Sequence, residues 1–416
     1  MSRFTFARGN AKKVIALPIY GLGALISAVV PRRANQWVFG CGSGVGEGAL
    51  ALFQHARAAD PSLSMTWLSR NAADDAAAAA LGIPAVRVTS WRGFWLTLRA
   101  EVLVVTHGFG DVNRFATRGG FIVQLWHGIP LKHIHLDSPA TTRSPILPNS
   151  GVIRRVLRLM YRGASRSIAV FPVASELAAA RIRTAFALPE ERVVVTGDPR
   201  DDVLLRGEPH QRVATARQLI ESRLGETLPP RILMFAPTWR DGAPDPSIPT
   251  PQQWAAIASY LERTDSTLVI RPHPLCVGDY ASGPPVSDRI RLLGSDIQAD
   301  ITPVLPAIDV LITDFSSIAY DYALTEGEIL YLAPDVTAYT ASRGLYEPYS
   351  TFSGGFAVER WDDILTQLNK RDTDPAFRTA LHHHRELQAN RNHAFRDGRN
   401  TVRVYTHIRT TLKDTP

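Results

Sequence analysis

The chain has 416 residues, comfortable for two hydrophobic cores and long for one. Its 45% hydrophobic and 20% charged composition is that of an ordinary globular protein and excludes a fibrous or disordered class. A net charge of +7 favours an anionic partner, but neither zinc-finger spacing nor an Arg/aromatic stripe points to nucleic acid, and Cys41 and Cys276 make neither a disulfide framework nor a metal site.

The first predicted element is Val14 to Val30, a charge-free run preceded by Arg3, Arg8, Lys12 and Lys13 and followed by Arg32 and Arg33. It is short of the roughly 20 residues a spanning helix needs and contains Pro18, Gly21 and Gly23. The expected state is a segment lying in the membrane interface, its apolar face in the acyl region and its cationic flanks on anionic lipid.

After Arg33, short apolar runs alternate with helical stretches. QWVFGC, SMTWLS, AVRVTS, EVLVVTHG and FIVQLWHG read as strands, with helices at Glu47–Ala59, Asn71–Leu81 and Trp91–Ala100 between them. Ile153 to Ser165 reads as a basic amphipathic helix bearing Arg154, Arg155, Arg158 and Arg162, and SIAVFPVAS and RVVVTGDPR as two more strands. A linker is expected from about Asp201 to Leu228. A second cycle follows, with strands in PRILMFAPTWRD, STLVIRPHP, RIRLLG, VLITD and EILYLAP and helices at Gln252–Arg263, Ile318–Leu324 and Trp361–Lys370. Leu381 to Asn400 reads as a polar terminal helix, with His382, His383 and His384 on a solvated face. Such alternation predicts an α/β fold of two doubly wound, Rossmann-like domains: a membrane-associating segment over 1–34, a domain over 35–205, and a domain with the terminal helix over 206–416.

In such sheets ligands bind beyond the carboxyl ends of the strands, and four loops there carry chemistry. In TDFSSIAYDY, Thr313 and Asp314 end a strand and Ser316 and Ser317 open a helix. That is an anion cradle or an ordinary N-cap. In RPHP, Arg271 and His273 sit two apart and could face one cleft, where His273 would stabilise phosphate charge or protonate a leaving group. In WHGIPLK, His127 is a general-base candidate, Gly128 permits a close turn, and Lys132 adds a cation. In FAPTWRD, Thr238, Arg240 and Asp241 follow a buried strand, and Arg240 is either a phosphate fork or a partner to a carboxylate. The glycine-rich Gly40 to Gly44 either admits a ligand or makes a tight turn.

Taken in order, QLWHGIPLKHI with Asp137 after it, VVVTGDPRDD, FAPTWRD, RPHP, ITDFSSIAYDYAL and the late FRDGRNTVRV resemble the CDP-glycerol glycerophosphotransferase family, the teichoic-acid primases and polymerases. The resemblance implies a GT-B-like pair of Rossmann domains and a membrane-associated enzyme, peripheral on the cytoplasmic face, using CDP-glycerol or CDP-ribitol in teichoic-acid or capsule-type synthesis. It implies that His127 is the acceptor-side base, with Gly128 and Lys132 beside it, and that His273 lies near the donor diphosphate. Thr238, Arg240, Arg271, Thr313, Asp314, Ser316 and Ser317 would then bind the donor. No cofactor or metal is implied. The acceptor would be a lipid-linked saccharide or growing polymer. Phe315 stands where the family usually has Tyr. The alternatives are a GT-B nucleotide-sugar glycosyltransferase or epimerase, and a non-enzymatic assembly factor on the same fold.

Overall fold

A computed structural model describes residues 16–142, 150–240, 243–273 and 275–414. Arg3, Arg8, Lys12, Lys13, Val14 and Ile15 lie outside the described residues, as do Asp241 and Pro274. The described residues form two compact units: residues 16–129, 134–202 and 393–414 build the N-terminal unit, and residues 130–133 and 203–392 the C-terminal unit.

The N-terminal unit begins with helix α1 (Leu17–Val29), followed by β1 (Arg33–Phe39), α2 (Glu47–Ala59), β2 (Ser64–Ser69), α3 (Ala72–Ala80), β3 (Ala85–Arg87), α4 (Trp91–Arg99), β4 (Ala100–Val105) and β5 (Phe121–Gln124). It continues with α5 (Gly151–Ser165), β6 (Ile168–Val173), α6 (Glu176–Phe186) and β7 (Val193–Val195). The seven strands pair in parallel in the order β3-β2-β1-β4-β5-β6-β7. A parallel sheet covered on both faces needs continuous apolar strands, and Trp37, Phe39, Val102, Val104 and Val123 supply them, packed on Leu52 and Phe53 of α2. The helices start where short polar side chains cap them: Asn71, Ser90, Ser150 and Ser175 each accept a backbone N–H of the first turn.

The C-terminal unit contains α7 (Pro209–Leu224), β8 (Arg231–Ala236), α8 (Pro251–Arg263), β9 (Ser266–Ile270), β10 (Ile290–Leu292), β11 (Val310–Thr313), α9 (Ile318–Tyr322), β12 (Glu328–Leu332) and α10 (Val336–Arg343). After these come α11 (Tyr349–Ser353), β13 (Ala357–Val358), α12 (Trp361–Thr373) and α13 (Pro375–Asn392). Its six parallel strands are ordered β10-β9-β8-β11-β12-β13 around a core that includes Phe235, Trp254, Ile270, Ile312, Leu330 and Trp361. Both sheets therefore run outward from their first strand, then reverse beyond it. The reversals, β1/β4 and β8/β11, are the topological switch points at which ligands of such sheets sit.

Three sequence expectations need correction. The presumed linker holds the sixteen-residue helix α7, which exposes most of its surface and buries only Ala216 and Ile220, so its apolar signal is faint. The single terminal helix is two. α13 ends at Asn392, and α14 (Asn400–Asp414) belongs with the N-terminal unit, not with 206–416. Val404 and Ile408 of α14 pack into the core beside α2, and Tyr405 lies against Trp37. Asp202 fixes that return by accepting the Asn400 and Thr401 N–H groups at 2.8 and 2.9 Å, so the TGDPRDD and FRDGRN segments are docked on one another. Finally, the triple histidine is not one solvated face: His384 is buried against Tyr331, and His382 lies 3.1 Å from the Glu328 carboxylate.

Candidate active site

At the switch point of the C-terminal unit the loops after β8 and β11 are tied by Asp314. One carboxylate oxygen accepts the N–H groups of Thr238 (2.8 Å) and Phe315 (2.6 Å), and the other takes the Arg240 guanidinium at 2.9 Å. Arg240 is buried. It also holds Asp335 with two bonds of 2.7 and 2.8 Å, donates to the Thr238 carbonyl at 2.6 Å, and lies over the rings of Phe315 and Tyr339. Although burial opposes its charge, the two carboxylates win and raise its pKa above the ordinary arginine value. Four of its five N–H donors are engaged in this way, so the carboxylate-partner expectation outweighs the phosphate-fork one. Thr313 is likewise structural, its hydroxyl donating to the Ala236 carbonyl at 2.7 Å.

Arg271 does not share a cleft with His273 as the two-residue spacing suggested. Its guanidinium turns back to the carbonyls of Leu293, Gln298 and Ala299. His273 remains at the rim. Its Nδ1 accepts the Leu275 N–H at 3.1 Å, which leaves the proton on Nε2, and its ring stacks 5.9 Å from Trp239. Desolvation of the ring, with Lys132 and Arg271 nearby, lowers its pKa to about 4, opposed by water at its exposed edge. His273 is therefore a neutral hydrogen-bond donor near pH 7, suited to a phosphate oxygen and not to donating a full proton.

Lys132 belongs to this same unit. The Pro130–His133 strand-like segment is strapped to the loop after α10: His133 N–H donates to Gly344 O (3.1 Å) and Tyr346 N–H to Leu131 O (2.9 Å). Desolvation, then the charges of Arg343 and Arg240, lower the half-buried Lys132 to about 8, while Asp314 supports its charge. A group with this depressed pKa is cationic below about 8 and loses its charge above it. Binding of a phosphate-bearing ligand here, read as 1/Kd, is expected to fall as pH rises through that value. Lys132→Gln should flatten that alkaline limb, and a limb unchanged in the variant would assign it elsewhere.

Two further groups belong to the same loops. Ser316 and Ser317 are half-buried ahead of α9, with Ser316 Oγ 3.4 Å from the Ile318 N–H. Thr238 Oγ1 is buried and finds no hydrogen-bond partner among the described residues, a cost that a ligand oxygen would remove.

In the N-terminal unit, the strand β5 breaks into Trp126, held at φ 63, then His127, then Gly128 at φ 131, a conformation that glycine alone adopts freely. The turn lays the His127 ring against Trp126 and flat on His107, centroids 4.2 Å apart and planes within 4°. His107 was not singled out by the sequence, since an isolated THG after a strand carries no signal. It is positioned by Asp111, one oxygen of which accepts the N–H groups of Thr106 and His107 at 2.9 and 2.7 Å. The glycine-rich loop after β1 is explained by the same ring: a Cβ on Gly42 would lie 2.4 Å from His107 Cγ.

These loops carry the residue types of a phosphate-handling enzyme, and comparison with known proteins gives the family. The family described as CDP-Glycerol:Poly(glycerophosphate) glycerophosphotransferase matches residues 24–410. The chain belongs to that family.

Curated members similar to this glycerophosphotransferase-family chain include the teichoic acid ribitol-phosphate polymerase TarL of Staphylococcus aureus, 25% identical over 60% of this chain and 42% of that protein. The teichoic acid poly(glycerol phosphate) polymerase of Bacillus subtilis is 23% identical over 77% of this chain and 41% of its own length. The chain thus spans under half the length of these two polymerases. The teichoic acid glycerol-phosphate transferase of Staphylococcus aureus is closer in size, 25% identical over 70% of this chain and 72% of that protein. Among solved structures, the wall teichoic acid polymerase TagF superposes with a TM-score of 0.73 at 16% identity, covering 98% of this chain and 97% of that one. The Staphylococcus aureus MnaA–UDP structure gives 0.52 at 12% identity over 91% and 97%. Both likenesses are of fold, and both support the two-sheet α/β, GT-B-like class expected from the sequence.

Proposed function

We propose that this chain transfers a polyol phosphate from CDP-glycerol or CDP-ribitol to a hydroxyl of a membrane-associated acceptor and releases CMP, in teichoic-acid or capsule-type polymer synthesis. The observation that carries this reading is the family match together with the convergence, at the switch point of the C-terminal unit, of Lys132, neutral His273, the Ser316–Ser317 turn and the unpartnered Thr238 hydroxyl. Phosphoryl transfer asks mainly for alignment and charge stabilisation. Lys132 supplies a cation to the diphosphate, the His273 Nε2–H and the Thr238 hydroxyl supply hydrogen bonds, and His127 accepts the proton of the acceptor hydroxyl as its oxygen attacks the β-phosphorus. CMP then leaves as a stable anion and needs no acid from the protein.

The test is CMP release from purified protein with a detergent-solubilised acceptor and, in separate reactions, CDP-glycerol and CDP-ribitol. Acceptor-dependent CMP from one donor names the polyol. Nucleotide binding with no CMP from either donor would overturn the reading in favour of a scaffold, and competition by UDP but not CMP would favour a nucleotide-sugar enzyme.

The surface of the N-terminal unit supports the membrane part. Among the described residues no helix is long and apolar enough to cross a membrane. α1 has 13 residues and so spans only about 20 Å. It nevertheless exposes Ile19, Leu22, Leu25 and Val29, while α5 exposes Val152, Val156 and Leu159 among its arginines. Burial, and to a smaller extent Tyr161 of α5, holds the Tyr20 phenol of α1 above its ordinary value, against the charge of Arg114. Apolar side chains flanked by arginines suit a peripheral site on an anionic, cytoplasmic leaflet. Leu22→Asp with Leu25→Asp is expected to abolish sedimentation with anionic vesicles and to leave CMP release from a soluble acceptor analogue intact. Undiminished sedimentation would refute this placement.

A further inference from the structure

The switch point of the N-terminal unit gathers three side chains that the transfer reaction does not use. Cys41 follows β1, Glu47 is the first residue of α2, and His107 follows β4. A ligand atom of each lies within 4.8 Å of those of the other two, and Cys41 Sγ is 3.6 Å from Glu47 Oε2. We propose that Cys41, Glu47 and His107 bind a borderline-soft divalent cation of the zinc class, leaving a coordination position for an oxygen ligand.

Four features carry this. The donor set is thiolate, imidazole and carboxylate, the mixture that suits zinc and leaves magnesium or calcium, which take oxygen, without a match. Three protein ligands and an open position are the pattern of zinc sites that engage a further ligand, and exposed His107 leaves the cluster open to solvent on its side. The ligands need to close only to a tetrahedral S···N separation of roughly 3.5 Å, from metal bonds of about 2.3 and 2.0 Å. Half-buried Glu47 can make that movement, while buried Cys41 and the stacked His107 ring are the fixed points. The histidine is also anchored beside the cluster: Nδ1 is 2.8 Å from Thr106 Oγ1, which is itself 3.3 Å from the Asp111 carboxylate.

A thiol gives up its proton when it becomes a metal ligand, so binding at Cys41 should release about one proton per ion. The sequence hid the site because its ligands come from three separate segments, joined only by the pairing of β1 with β4.

The test uses the full chain, stripped with chelator, titrated with Co²⁺ alone and with Zn²⁺ in competition. The expected result is one ion per chain, a thiolate-to-cobalt charge-transfer band bleached by Zn²⁺, and about one proton released. Cys41→Ser should lose the band. His107→Ala, a change at an exposed position, should weaken binding at least about 10-fold while the far-ultraviolet circular dichroism is unchanged. Cys276→Ser should bind as the parent does. Absence of the band in folded parent protein, or its persistence in Cys41→Ser, would overturn the site. Because the readout is spectroscopic, failure here leaves the transferase reading standing, and failure of CMP release leaves the metal site standing.

Discussion

His127→Ala is expected to lower turnover by about 10²–10⁴-fold, the usual contribution of a placed general base, while CDP-glycerol binds as tightly as to the parent. The separation follows from where the groups are. His127 lies in the N-terminal unit at the end of β5, whereas the candidate donor ligands Lys132, His273, Thr238, Ser316 and Ser317 all belong to the C-terminal unit. At about 1.4 kcal/mol per factor of ten the loss amounts to roughly 3–5 kcal/mol of transition-state stabilisation. The ring also stacks on His107 and Trp126, so a packing effect must be told apart from loss of the base. His127→Gln keeps much of the volume without a group that accepts a proton near neutrality, and it should be nearly as slow as the alanine variant. Calorimetric titration with CDP-glycerol decides the assignment: donor affinity that collapses together with turnover would place His127 among the donor ligands instead.

The sequence exposes most of the scaffold because buried parallel strands have to be apolar along their whole length. VLIT, RILMFA and EILYL are legible without any knowledge of their neighbours. What it conceals has three physical origins. Helix α7 shows little apolar periodicity because it buries so few side chains, and it reads as linker. The terminal helix reads as part of the second domain because chain order does not reveal that Asp202 caps it. The arginines are the most instructive case. A guanidinium after a strand looks like a phosphate fork in any α/β sequence, yet Arg271 bonds three backbone carbonyls and Arg240 two carboxylates. A one-dimensional reading identifies the residue type that recognises phosphate but not whether its donors are still free. The reverse holds for Thr238, whose hydroxyl becomes informative only when the fold shows it buried with no hydrogen-bond partner among the described residues.

Arg240→Ala is accordingly expected to act first on stability. The side chain is buried at 7% exposure beside Asp314 at 1%, and its removal takes away the guanidinium that bonds both that carboxylate and Asp335. Breaking a buried pair from one side costs about 3–5 kcal/mol, and the cation–π contacts to Phe315 and Tyr339 are lost with it. For a unit of this size each kcal/mol is worth about 2–4 °C, so the melting transition of the C-terminal unit should fall by roughly 6–20 °C. Arg240→Lys keeps a charge but cannot hold Asp335 through two parallel bonds and reach Asp314 as well, so it should lie between the alanine variant and the parent. Donor binding should weaken in step with the melting temperature, because Asp314 positions both the Thr238 backbone and the turn leading to Ser316. A variant that melts within about 1 kcal/mol of the parent yet no longer binds CDP-glycerol would return Arg240 to the role of a direct phosphate ligand. The alternative outcome, loss of stability with donor affinity recovered at low temperature, would establish it as the post around which the two loops of the switch point are built.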